Sequence, residues 1–326
     1  MIKIKPIIIV AGEPNSVFLE IFFKTLKKSW FKKFLRPIIL IASSNLILDQ
    51  MTKLGFNFKI RIIKPNFKNN FGKIDNTKIN VINVNLKYKK PFENISTKSN
   101  FYLNHCFKIG IDIMKKNLGH GLINGPISKK KFLNGKFLGI TEYLADKTNT
   151  KNKIAMLIYN KNLSVSPITT HLPLKDVHKR INQKKIMNNV KLINLFYKKK
   201  FNKKPKIAIT GLNPHCESNY KTSEEKKIII PAINKLIKQK YHVKGPFPAD
   251  TIFLKDQLKR YDVIIGMYHD QVLAPLKTLF DFNAINITLG LPFVRISPDH
   301  GPNFSMLGKN LSNPQSLIEA IKFLEN

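Results

Sequence analysis

At 326 residues the chain is long enough to bury two cores, and 56 Lys and Arg against 20 Asp and Glu give it a formal net charge of +36. The excess is lysine spread along the sequence, with arginine confined to Arg36, Arg61, Arg180, Arg260 and Arg295. Base readout leans on arginine, and no zinc-finger, RRM or KH pattern occurs, so no specific nucleic-acid partner is expected.

Apolar stretches such as PIIIVAG and RPIILIA are far shorter than the ~20 residues a spanning helix needs, and the start MIKIKPIIIVAGEP has no signal-peptide pattern. The expectation is a cytoplasmic chain without a membrane partner. Cys106 and Cys216 show no metal-finger or CxxC spacing, and a structural disulfide is not expected in that compartment.

Taken in chain order, short β-branched runs alternate with amphipathic stretches. Strands are expected at Ile7–Ala11 and Pro37–Ala42 with a helix at Phe18–Lys28 between them, then a surface loop over 66–79 and a helix at Leu103–Lys116. Further strands are expected at Gly121–Asn124, Ala155–Tyr159 and Leu163–Thr169. A helix at Lys184–Tyr197 and a loop over 198–205 follow, then a strand at Lys206–Thr210, a helix at Ser223–Gln239 and a strand at Val263–Met267. The final helix, Pro314–Glu325, opens with Asn313 as cap and proline at its first position. This βαβ rhythm predicts a mostly parallel sheet flanked by helices. No GxGxxG follows the first strand, so the standard dinucleotide fingerprint is absent.

The densest stretch of polar groups is YHDQVLAPLKTLFDFNAINITLGLPFVRISPDHGPN, Tyr268–Asn303. It sets His269, Asp270, Lys277, Asn286, Arg295 and the Asp299–His300 pair among apolar runs that read as buried strands. His171 follows VSPITT and His215 follows IAIT, each beside turn residues. A lone histidine in such a setting is most often a satisfied loop residue. Three at strand ends, with Asp250 in GPFPADTIF as a fourth polar element, point to a metal site with an open position.

The blocks NGPISKK (124–130), GITEYLADKT (139–148), TTHLPLKDV (169–177), GLNPHCES (211–218), GPFPADTIF (245–253) and the long segment resemble the 4-hydroxythreonine-4-phosphate dehydrogenase (PdxA) family, in order along nearly the whole chain. The resemblance implies an α/β fold of two α/β/α domains with an interdomain cleft, like isocitrate and isopropylmalate dehydrogenases. The domains would comprise 1–125 plus 285–326, and 126–284. It implies NAD as cofactor and a divalent metal (zinc, cobalt or magnesium) on His171, His215 and His269, in a homodimer whose subunits share the active site. Asp250 and Asp270 would be the catalytic acids or bases, one taking the hydroxyl proton or orienting an imidazole, with the division of roles open. The alternatives are a helix N-cap for Asp250 and an ordinary lysine partner for Asp270. Thr141, Lys277, Asn286 and Arg295 would bind a phosphorylated substrate.

The implied reaction is oxidation of 4-phosphooxy-L-threonine at C3, then decarboxylation to 3-amino-2-oxopropyl phosphate, in pyridoxal phosphate biosynthesis. Three departures bear on the substrate. NSVFLE replaces the glycine-rich sequence after GEP, Ile140 stands where the family has a phosphate-contacting histidine, and GLNPHCESNY loses glycines beside His215. A related dehydrogenase of 4-phosphoerythronate or a phosphothreonate, or an inactive homologue that binds metal or phosphate, are the competing expectations.

Overall fold

The computed structural model describes residues 4–64, 71, 74–137, 139–151, 153–216, 222–281, 283–298 and 301–325. Asp299 and His300, together with residues 65–70 and 72–73 of the expected loop, lie outside this set. The chain forms two compact units, 1–149 with 292–326 and 150–291. The chain passes between units at 149/150 and 291/292, later than the sequence reading placed the crossings.

In chain order the first unit contains β1 (Ile7–Val10), α1 (Phe18–Leu26), β2 (Ile38–Ala42), α2 (Ser44–Lys53), β3 (Ile60–Ile62), β4 (Ile79–Asn83), α3 (Asn100–Lys115), β5 (Gly121–Asn124) and α4 (Ile140–Lys147). The second unit follows with β6 (Ala155–Tyr159), β7 (Ser164–Pro167), α5 (Leu174–Arg180), α6 (Gln183–Phe201), β8 (Ile207–Thr210), α7 (Ile230–Lys238), β9 (Val243–Phe247), α8 (Lys255–Leu258), β10 (Val263–Gly266), α9 (His269–Phe280) and β11 (Ile285–Leu289). The chain then returns to the first unit with β12 (Arg295–Pro298) and α10 (Gln315–Phe323).

The first unit orders its strands β3-β4-β2-β1-β5-β12, every pairing parallel. Its middle strand reads Ile-Ile-Ile-Val with every residue fully buried, as a parallel strand covered on both faces requires. The second unit orders its strands β11-β6-β7-β10-β8-β9. There β11 and β7 run antiparallel to β6, while β7, β10, β8 and β9 run parallel to one another. The expected α/β class with mostly parallel pairing holds.

Some elements depart from the sequence reading. The stretch after Tyr268 opens as helix α9 instead of a strand, because Val272, Leu273 and Leu276 recur at helical spacing and bury against β7 and β10. The expected loop at 198–205 begins inside α6, whose start is capped by Asn182 Oδ1 accepting from the Lys185 amide at 2.9 Å. Its end is turned by Asn202 in the left-handed region (φ 50°), and Asn117 and Asn149 adopt similar angles just past α3 and α4. The last helix begins at Gln315 with Pro314 at its cap position, one residue later than expected, and Asn313 Oδ1 accepts from the Gln315 amide at 2.9 Å just ahead of it.

Candidate active site

The second unit builds its polar edge by a simple rule. Strands β7, β10, β8 and β9 are neighbours and parallel, so their C-terminal ends lie on one edge of the sheet. Open α/β sheets bind ligands at that edge. The turns leaving these four strands carry, in spatial order, His171, His269, His215 and Asp250. Adjacent strands are about 4.8 Å apart, which brings neighbouring turns within side-chain reach.

The side chains meet in three pairs. The His171 and His269 rings have centroids 5.7 Å apart, inclined at 38°. His215 Nδ1 lies 4.0 Å from Asp250 Oδ2, and His269 Nδ1 is 2.5 Å from Asp270 Oδ1. Asp250 therefore faces an imidazole, and no helix begins at it; the short α8 that follows is capped by Leu254. Asp270, in the first turn of α9, likewise partners a histidine. By donor type the edge suits a divalent ion. By geometry one chain brings two imidazoles together and leaves the third with Asp250, and among the described residues no group of three His, Cys, Asp or Glu side chains could hold a metal.

The turn carrying His215 is held from beneath. Glu225 is buried, and its Oε1 accepts from the Leu212 and Asn213 amides at 2.8 and 2.9 Å while Oε2 accepts from Asn213 Nδ2 at 2.9 Å. Burial opposes the charge, but these hydrogen bonds outweigh it and hold the carboxyl below its ordinary range. The turn can then place His215 at φ 54° and Cys216 at φ 56°. Gly211 has no room for a Cβ, which would stand 2.7 Å from Cys216 Sγ.

The remaining predicted residues are dispersed. Lys277 is exposed on α9, eight residues beyond His269, or roughly 12 Å along the axis at 1.5 Å per residue. Asn286 lies on β11 opposite Ile158, with its Oδ1 buried and no partner among the described residues. Thr141 and Arg295 belong to the first unit.

Arg295 is fully buried, and its Nε donates to Asn124 Oδ1 at 2.7 Å. Burial pushes the guanidinium down to about 9, opposed by the Glu142 carboxylate in the first turn of α4. The side chain stays charged at neutral pH. A buried charge needs compensation: Asn124 on β5 accepts a hydrogen bond from it, and the Glu142 carboxylate on α4 acts on it through space. Sequence reasoning quoted both residues inside motifs without giving either a role; the signal was a rare arginine within a strand, which demands a carboxylate nearby.

Glu13 was also missed. It is buried in the turn after β1, and desolvation raises its carboxyl to about 7 against hydrogen bonds from the Asn15 amide and the Ser99 hydroxyl. The sequence after GEP lacks its usual glycines, yet the backbones still approach closely. Gly12, at φ 79°, has no space for a Cβ beside Pro126 O, and the Glu13 amide donates to that same oxygen at 2.8 Å.

Residues 33–324 match the family model described as pyridoxal phosphate biosynthetic protein PdxA. The chain belongs to the PdxA family. A 4-hydroxythreonine-4-phosphate dehydrogenase of Sulfurihydrogenibium sp. is 38% identical over 319 residues, covering 96% of this chain and 95% of the relative. One from Aquifex aeolicus is 32% identical over 325 residues, covering 99% and 98%. Among solved structures, the 4-hydroxythreonine-4-phosphate dehydrogenase of Klebsiella pneumoniae superposes with a TM-score of 0.85 at 26% identity, covering 99% of this chain and 97% of that one. These alignments span both units of this PdxA-family chain. No helix among its described residues is long and apolar enough to cross a membrane.

Proposed function

We propose that this PdxA-family chain is an NAD-dependent dehydrogenase that oxidises 4-phosphooxy-L-threonine at C3, and that the β-keto acid formed loses carbon dioxide to give 3-amino-2-oxopropyl phosphate in pyridoxal phosphate biosynthesis. The observation that carries the reading is the edge where four neighbouring parallel strands deliver His171, His269, His215 and Asp250 together. The near full-length likeness to enzymes of that name adds the substrate.

Oxidation transfers a hydride from C3 to the nicotinamide and a proton from the hydroxyl to a base. Asp250 and Asp270 are the candidate acceptors, each already beside an imidazole that can hold or relay the proton. A divalent ion at the histidines would polarise the hydroxyl as a Lewis acid. One chain presents His171 and His269 as a pair with His215 apart, and this supports a set completed by His215 from a second copy, hence a shared site in a homodimer. Lys277, Asn286, Arg295 and Thr141 are proposed to bind the substrate's charged groups. Thr141 stands in the first turn of α4, whose amides add donors for a phosphate where Ile140 supplies none.

The test is an NAD⁺ reduction assay on 4-phosphooxy-L-threonine with defined metals, which should show turnover that chelation abolishes. A second reading is oxidation of a phosphothreonate. It is favoured by Ile140 and by 30% identity over 327 residues to an Oceanobacillus iheyensis protein provisionally named D-threonate 4-phosphate dehydrogenase. Assaying both substrates in parallel decides between them, since whichever gives the higher kcat/KM identifies the reaction.

A further inference from the structure

Two of the three histidine-bearing turns are braced by one amide side chain. Gln271, in the first turn of α9 two residues beyond His269, is buried. Its Oε1 accepts from the Met267 amide at 2.6 Å and from the Thr210 hydroxyl at 2.9 Å, and its Nε2 donates to Gly211 O at 2.8 Å. Met267 leaves β10 toward His269, whereas Thr210 and Gly211 leave β8 toward His215. The neighbouring turn is tied in as well, because Thr169 donates both its hydroxyl, at 2.7 Å, and its amide, at 3.2 Å, to Met267 O two residues before His171.

We propose that Gln271 is a positioning residue that holds the strand ends carrying His215 and His269, so that each imidazole is presented to the shared metal site it serves, an inference that rests on the metal reading above. The chemistry suits a primary amide. Two donors converge on one oxygen while a carbonyl faces the nitrogen; a carboxylate could serve the donors but would repel Gly211 O, and an aliphatic chain could serve none of the three. The fit is close, since a Cβ at Gly266 would stand 3.0 Å from Gln271 Oε1 and 2.5 Å from Val272 Cγ1. Gln271 touches none of the histidines in these bonds, so its effect passes through the backbone of the two turns.

The experiment compares the full chain with Gln271→Leu, Gln271→Glu and Leu276→Ala. The last variant opens the core beneath the same helix without touching the turns. Zn²⁺ affinity is measured by competition with a chromophoric chelator, alongside Tm and hydrogen exchange at the Met267 amide. Gln271→Leu is expected to weaken Zn²⁺ binding by about 10- to 100-fold, the range seen when groups behind metal ligands are removed, with the Met267 amide losing protection. Gln271→Glu should fall between it and the wild type, and Leu276→Ala should lose Tm while keeping wild-type affinity. Unchanged affinity in Gln271→Leu, or an equal loss in Leu276→Ala, would overturn the positioning role. A wild-type chain that takes up no Zn²⁺ would overturn the metal reading itself, and that outcome is read from the wild-type arm alone.

Discussion

The two units handle polar residues in opposite ways. In the second, His171, His215, Asp250 and Asp270 are exposed at or near strand ends, and the buried groups Gln271 and Glu225 sit one layer below them. In the first, the charged and polar groups of interest are themselves buried: Arg295, Thr141 and Glu13. Exposed imidazoles are free of desolvation cost and can accept a ligand. Buried charges must be satisfied within the fold, so they fix shape. The chemistry is therefore expected to fail cleanly when the second unit is altered, whereas the first unit should lose stability first.

His215→Ala is the sharpest test of that contrast and the largest effect. It should lower kcat by about 100- to 1000-fold, the scale of removing a principal electrostatic stabiliser, with Tm nearly unchanged because the side chain is exposed. Chelated His215→Ala protein that keeps full turnover would remove His215 from the chemistry.

In the first unit, Glu142→Gln should destabilise by up to about 3 kcal/mol, because it removes the carboxylate charge that acts through space against the desolvation of the buried Arg295. Replacing both, as Glu142→Gln with Arg295→Met, should recover much of that loss in stability while activity stays low. Denaturant midpoints for the two variants measure this directly, and equal losses would show that the pair is not coupled.

Glu13 gives a pH-dependent effect of about 2–3 kcal/mol at most, since a tenfold change in proton affinity is worth about 1.4 kcal/mol. Its folded pKa is raised above the unfolded value of 4.5 to about 7. The folded state therefore holds the proton more tightly, and this contribution to stability is full below pH 4.5 and fades as pH rises through 7. Glu13→Gln should raise Tm relative to wild type at pH 8 and lose that advantage near pH 4. A difference between the two proteins that does not change with pH would contradict the raised carboxyl.

The smallest expected effect concerns substrate selection. If phosphate lies beside residue 140, Ile140→His adds one charge-assisted contact worth about 1.5–3 kcal/mol at best. KM for 4-phosphooxy-L-threonine should fall, while the metal requirement and kcat stay the same. Unchanged discrimination between phosphorylated and unphosphorylated substrates would place the phosphate elsewhere.

Much of this arrangement was legible in the sequence for a physical reason. Strands such as Gly121–Asn124 and Ala155–Tyr159 have the bounds expected of them from the sequence, and the His-bearing turns follow short apolar strands of this kind. Helix α9 was not legible, because its run of apolar residues reads as either period until the partners that bury Val272 and Leu276 are known. The roles of Asn124, Glu142 and Gln271 escaped for a related reason. Each is defined by a bond to a residue distant in sequence or by a backbone group, 171 positions away for the Asn124–Arg295 bond.

The asparagines at Asn117, Asn149 and Asn202 show how a chain rich in lysine, asparagine and isoleucine ends its helices. At a left-handed helix exit glycine is the unstrained residue, and asparagine tolerates the angle best among those with a side chain. Asparagine thus serves at helix ends at small penalty, and it also leaves fewer conformations open to the unfolded chain than glycine does. Asparagine has no such use at Gly12, where a Cβ would meet a carbonyl oxygen and only glycine fits. Backbone geometry, position by position, sets where a compositional bias toward asparagine can be accommodated.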